Sequence, residues 1–193
     1  MKFRALGFVL ILLAFFPQPT QAAEVTSQAI ATAPGVNIDT SLLLPQKLPA
    51  PAILLAHGFG GSKDSVIAEA KFYQERGYVV MTWTARGFGK STGQITMNST
   101  DAEISDIRLL ISALSRNKNV IQDGSGDPRV GIAGASYGGA AALMTAALDK
   151  RIDAVIADIT WSDMQQALFP QSAVAVTEPG PFKKIWTGTF FAL

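Results

Sequence analysis

The sequence predicts an α/β fold built on a mainly parallel, doubly wound sheet. Short, continuous apolar runs of strand length recur along the chain, as in strands covered by helices on both faces. Stripes of apolar residues at helical spacing alternate with them. A small-residue turn, Gly134-Ala135-Ser136-Tyr137-Gly138, joins one such strand to one such helix. At 193 residues and 48% hydrophobic content, the chain is long enough to bury one substantial core, so a single domain is expected after any targeting segment.

Residues 1–23 read as a secretory signal. Lys2 and Arg4 give a basic start, Ala5 to Phe16 is apolar, and Thr20 and Ala22 stand at the −3 and −1 positions of a cleavage site. A spanning helix needs about 20 apolar residues, so this run is short for an anchor, and an uncleaved tether is the alternative. The segment predicts a secreted, periplasmic or cell-surface protein with no stable membrane association after cleavage. Losing Lys2 and Arg4 moves the balance from 16 basic and 15 acidic residues to 14 and 15, a net of about −1. No basic stripe follows a nucleic-acid backbone, so nucleic acid is not an expected partner. With no cysteine there is no disulfide framework. One histidine and unclustered carboxylates suggest no metal site, and no cofactor is expected.

In the mature chain, residues 36–44 alternate apolar and polar, which reads as a half-exposed edge strand ended by the segment Pro45 to Pro51. Ala52 to Ala56 and Tyr78 to Thr84 read as central strands. Between them, Lys63 to Arg76 carries Val66, Ala70 and Tyr73 at helical spacing, with Gly77 placed to end the helix. A second crossover helix is expected over Asp101 to Asn117. Thr100 and Glu103 match a T-x-x-E capping box, and Ile104, Ile107, Ile111 and Leu114 form its stripe. Val130 to Ala133 reads as a buried strand, Ala140 to Leu148 as a helix, and Ala154 to Ile159 as a further strand. After Trp161 the alternation stops, and 166–193 is expected to begin an incomplete cap or insert.

The G-x-S-x-G turn also arises by chance, or where small residues merely let a strand and a helix pack closely. Its strand-turn-helix setting favours the functional reading, in which a strained turn presents Ser136 as a nucleophile. A serine hydroxyl needs a neighbouring base to take its proton. The one histidine, His57, precedes the serine, whereas in this architecture the base follows it. His57 is therefore read as loop support, bonding nearby backbone, together with Gly58. The stretch His57-Gly58-Phe59-Gly60-Gly61 after the first central strand suits an oxyanion hole, with the N–H groups of Phe59 and Tyr137 as donors; a turn that only reverses the chain is the bland alternative. Residues 86–91 (RGFGKS) end like a phosphate loop, but that pattern requires glycine where Thr84 stands. A turn in which Arg86 ties loops together is expected instead.

These residues resemble the X-prolyl dipeptidyl peptidase and cocaine-esterase-like branch of the α/β-hydrolase superfamily. The shared points are HGFGG, RGFGKSTG, GDPRVGIAG and GASYGG, over about residues 33 to 165. The resemblance implies an α/β-hydrolase fold and cleavage of an ester or peptide bond through an acyl-enzyme on Ser136. Members can use a tyrosine hydroxyl in the oxyanion loop; here Phe59 stands at that position, leaving only main-chain donors. The family's acid and histidine come from later strands. Asp158, at the end of the last expected strand, is set aside as the acid because the acid normally follows the next strand. The expectation is a hydrolase domain truncated after the strand that follows the nucleophile helix, spanning 24–165 and inactive alone. The alternatives are a non-catalytic secreted binding protein that retains the fold, and a short enzyme taking its base from a partner chain.

Overall fold

The computed structural model describes residues 25–169 and 183–191. The expected signal segment lies outside them, as does part of 166–193. Six strands form one sheet in the order β1-β2-β4-β3-β7-β8. They are β1 (Val25–Ala33), β2 (Val36–Leu43), β3 (Ala52–Ala56), β4 (Val79–Trp83), β7 (Val130–Ala135) and β8 (Ile152–Asp158). The β3-β4, β3-β7 and β7-β8 pairs are parallel, while β1-β2 and β2-β4 are antiparallel. A small ribbon of β5 (Gln122–Gly124) and β6 (Asp127–Pro128), not foreseen from sequence, precedes β7.

Alternation along the strands divides the core between two faces. Leu54, Met81 and Ile132 stand side by side in register and point into the main core under α2 (Glu103–Ser115) and α3 (Tyr137–Leu148). Leu55, Val80 and Ala133 belong to a smaller cluster packed with Ala70 of α1 (Ile67–Glu75). The stripe Ile104, Ile107, Ile111 and Leu114 is buried throughout, at 0–1% exposure. Each such side chain contributes about 1.5–3 kcal/mol by leaving water. Gly77, at φ +92, follows the end of α1 as expected, in a region that L side chains rarely adopt. The expected helix over 63–76 opens as a 3-10 turn, Lys63–Val66, capped by Ser62, before α1 begins.

Two sequence expectations are corrected. The alternating segment 36–44 is not at the edge: β2 lies between β1 and β4, and β1 takes the outer position. Two of its polar residues, Thr40 and Ser41, serve the neighbouring strand rather than water. Thr40 Oγ1 donates to the Gln28 carbonyl at 2.9 Å, and the Ser27 and Ser41 hydroxyls meet at 3.1 Å. The β1 sequence, VTSQAIATA, is too polar and too exposed to announce itself. The capping box also fails. The N-cap of α2 is Ala102, with no side-chain cap, and Glu103 points its carboxylate elsewhere. After β8 the described chain forms two helices, α4 (Met164–Leu168) and α5 (Lys184–Phe191).

Candidate functional site

The turn between β7 and α3 is tighter than any residue but glycine permits at its close contacts. A Cβ on Gly134 would stand 2.6 Å from backbone atoms of Gly138, and one on Gly139 would stand 2.9 Å from Thr160 Cβ and 3.0 Å from the Asp158 carbonyl. One on Gly138 would stand 2.7 Å from the His57 carbonyl and 2.8 Å from that of Ala56. The missing side chains thus bring β7, α3, the end of β3 and the chain after β8 together at one point. Ser136 sits at that point, exposed, with φ 54 and ψ −120. For a non-glycine residue this conformation costs about 1–3 kcal/mol and needs surroundings that over-determine it. They do: Ser136 N–H donates to the Asp158 carbonyl at 2.9 Å, and its carbonyl accepts from Ala140 N–H at 3.1 Å and Thr160 Oγ1 at 2.8 Å.

The loop 57–61 lies against this turn. His57 is 2% exposed and both its nitrogens are engaged. Nε2 accepts from Ala85 N–H at 2.9 Å, so Nδ1 carries the proton and donates to the Gly58 carbonyl at 2.7 Å. Burial holds its pKa below the ordinary value, which favours the neutral ring. The histidine joins the end of β3 to the chain after β4. Phe59 is half-buried, its ring edge-on to Phe88 at 5.2 Å, Tyr137 at 5.8 Å and Phe190 of α5 at 4.9 Å. The structure therefore brings together Ser136, Tyr137, His57, Gly58 and Phe59.

Asp158 enters this site through its main chain, while its residue is exposed. Arg86 ties loops as expected, in a bidentate pair at 2.7 Å and 2.7 Å with buried Asp106 of α2. Ser91 turns inward, donating to the Thr84 carbonyl at 2.6 Å and accepting from Asp39 N–H at 2.9 Å. Its hydroxyl serves the fold in place of any phosphate.

Three contributors escaped the sequence reading. Glu103, 2% exposed, accepts from Thr96 N–H at 2.6 Å, from the Thr96 hydroxyl and from the Tyr137 hydroxyl at 3.2 Å. Asn98, also 2% exposed, donates from Nδ2 to the Tyr137 carbonyl at 3.0 Å. Lys63 crosses to the hairpin and reaches Asp39 at 2.7 Å. A carboxylate three residues after a threonine looks like a cap in sequence, and nothing local distinguishes it from one that leaves its helix.

Comparison with known proteins places the chain in a family. Residues 34–187 match the family model of X-Pro dipeptidyl-peptidase (S15 family). Polyketide transferase grgF of Penicillium sp is 30% identical over 116 residues, 60% of this chain and 38% of that protein. Quorum-quenching protein AidA of Acinetobacter baumannii is 34% identical over 120 residues, 61% and 38%. The chain spans about two fifths of the length of these curated relatives. The structure of hypothetical protein PA2218 from Pseudomonas aeruginosa aligns with a TM-score of 0.65 and 26% identity, over 90% of this chain and 54% of that one. The Pyrococcus furiosus esterase Pf2001 aligns at 0.65 and 18% identity, over 89% and 63%, a likeness of fold alone. With more than half of its length matched, the chain belongs to the X-Pro dipeptidyl-peptidase (S15) family and has the α/β-hydrolase fold in its described part.

Proposed function

We propose that Ser136 is the nucleophile of an acyl-transfer site and that the N–H groups of Phe59 and Tyr137 form its oxyanion hole. The observation that carries this reading is the exposed Ser136 at φ 54 and ψ −120, held on a strand-to-helix turn against the glycine loop. Ser136 Oγ attacks the carbonyl carbon of an ester or peptide bond while its proton passes to a base. Two fixed N–H groups stabilise the oxygen as it gains charge, a contribution of about 2.7–4 kcal/mol per donor. The leaving group departs protonated, and water then releases the acyl group from the serine.

The base is not His57, whose nitrogens are both committed to backbone. The matched relatives are longer than this chain, and we propose that acid and base come from chain of the kind they add. Several of these relatives are described as polyketide transferases and one as a thiohydrolase, which supports an acyl substrate. On this reading the chain as given turns over p-nitrophenyl esters negligibly. A fluorophosphonate reacts slowly and at one serine, Ser136, with the adduct absent from Ser136→Ala. Adducts spread over other serines, or none after long exposure, would overturn the assignment. Brisk ester turnover lost in Ser136→Ala would instead reveal a base that we have not placed.

The engaged His57 favours one second reading, a binding protein that retains the fold without turnover. Export is proposed from the leader, with the secreted protein beginning near Ala23 or Glu24. N-terminal sequencing decides this, and Met1 retained in a membrane fraction would refute cleavage.

A further inference from the structure

We infer that Glu103 and Asn98 are positioning residues that hold the Tyr137 N–H in place. The inference rests on the reading that this N–H is an oxyanion donor. Tyr137 is the first residue of α3, so its N–H has no partner within the helix. That leaves the group available to a ligand, and it also leaves its direction to whatever grips the rest of the residue.

The residue is gripped at both ends. Asn98 Nδ2 donates to its carbonyl at 3.0 Å, and Glu103 Oε1 accepts from its hydroxyl at 3.2 Å. Between these bonds the ring is buried, edge-on to Phe59 and Phe88 at 5.8 Å each. Burial, and next the negative charge of Glu103, raise the pKa of the hydroxyl, so it stays protonated and donates.

The two clamping residues are themselves braced. Glu103 takes both the N–H and the hydroxyl of Thr96, which fastens the 96–98 segment to the first turn of α2. That segment then passes through two consecutive left-handed residues, Met97 at φ 56 and Asn98 at φ 65. Neither is glycine; left-handed backbone costs a non-glycine residue about 1–3 kcal/mol, less for asparagine, and persists only where the surroundings over-determine it. The strained path delivers a buried amide to one backbone carbonyl beside the candidate nucleophile.

The test is backbone 15N relaxation on the full chain, comparing the unmodified protein with Tyr137→Phe and Asn98→Gly. Tyr137→Phe deletes one hydroxyl, and Asn98→Gly removes the amide while tolerating the left-handed backbone. We expect the order parameter of the Tyr137 N–H to fall from about 0.85 to below about 0.7 in each, with β3 amides unchanged. The fluorophosphonate reaction at Ser136 should slow at least tenfold, as expected for loss of a fixed oxyanion donor. An unchanged Tyr137 order parameter in both variants would overturn the inference, and so would an equal fall in β3, which marks general loosening. If Asn98→Gly does not fold, Tyr137→Phe decides alone. Failure of the unmodified chain to label at Ser136 overturns the nucleophile reading, and the relaxation data still decide the clamp.

Discussion

Replacing Gly138 by alanine adds one methyl group where α3 meets the end of β3. In the present backbone that carbon would lie 2.7 Å from the His57 carbonyl, 2.8 Å from the Ala56 carbonyl and 2.9 Å from Ala56 Cβ. None of these is the free end of a flexible side chain, so β3 and α3 must part. Overpacking of this kind costs about 1–3 kcal/mol, and three rigid contacts place Gly138→Ala at the upper end. Alanine in a helix returns about 1 kcal/mol relative to glycine. The net destabilisation is about 2 kcal/mol, or about 4–8 °C in melting temperature for a domain of this size. Gly188 in α5 is the control, because a Cβ there meets nothing within 4 Å and Gly188→Ala should leave the melt unchanged or raise it slightly. Differential scanning calorimetry on both variants makes the comparison. A Gly138→Ala protein melting within 1 °C of the parent would show that the elbow has slack, and the argument from close contact would fall.

Arg86→Met strands the carboxylate of Asp106, only 3% exposed, and should cost about 3–5 kcal/mol by chemical denaturation; Arg86→Met with Asp106→Leu should recover most of it, and no recovery would count against a simple ion-pair role. Burial depresses the His57 pKa below its ordinary value of about 6.5. The unfolded chain therefore takes up the proton first, so the stabilisation is complete above pH 6.5 and declines as pH falls below it. Melting temperature should drop between pH 6.5 and 5; a flat profile there would contradict the buried neutral ring. Finally, Ile156 on the outer strand β8 is 56% exposed, beside Val155 at 39%. Ile156→Lys should change stability by less than about 0.5 kcal/mol while reducing self-association in analytical ultracentrifugation, and unchanged association would show that this strand is not the sticky surface.

The parallel centre of the sheet was legible because its signal is local. AILLA is apolar throughout, VVMTW is apolar but for Thr82, and α2 carries its stripe at one spacing, so each element declares its own burial. The elbow was legible for the same reason, since steric demand at a turn selects glycine residue by residue. What escaped depends on partners distant in sequence. β1 is held by pairing with β2 and shows almost no buried face. Glu103 matches a capping pattern, but Thr96 and Tyr137 take its carboxylate instead, and only the fold brings these two partners, one exposed and one buried, to the same side chain. Asparagine tolerates left-handed backbone, but nothing in the sequence marks Met97 beside it as left-handed too, or Tyr137 as the partner of Asn98.

The contact between Phe59 and Phe190 sets an order of assembly. The hydrogen-bond partners of the Ser136 turn, Asp158 and Thr160, lie within 24 residues of it, so those bonds close over a shorter stretch of chain than the Phe59–Phe190 contact does. The ring of Phe59 reaches its final surroundings only when α5, far downstream, docks against it at 4.9 Å. Long loops close late and at greater entropic cost. During synthesis the serine turn can thus take shape while the glycine loop still lacks one aromatic wall, and the two halves of the site mature at different times.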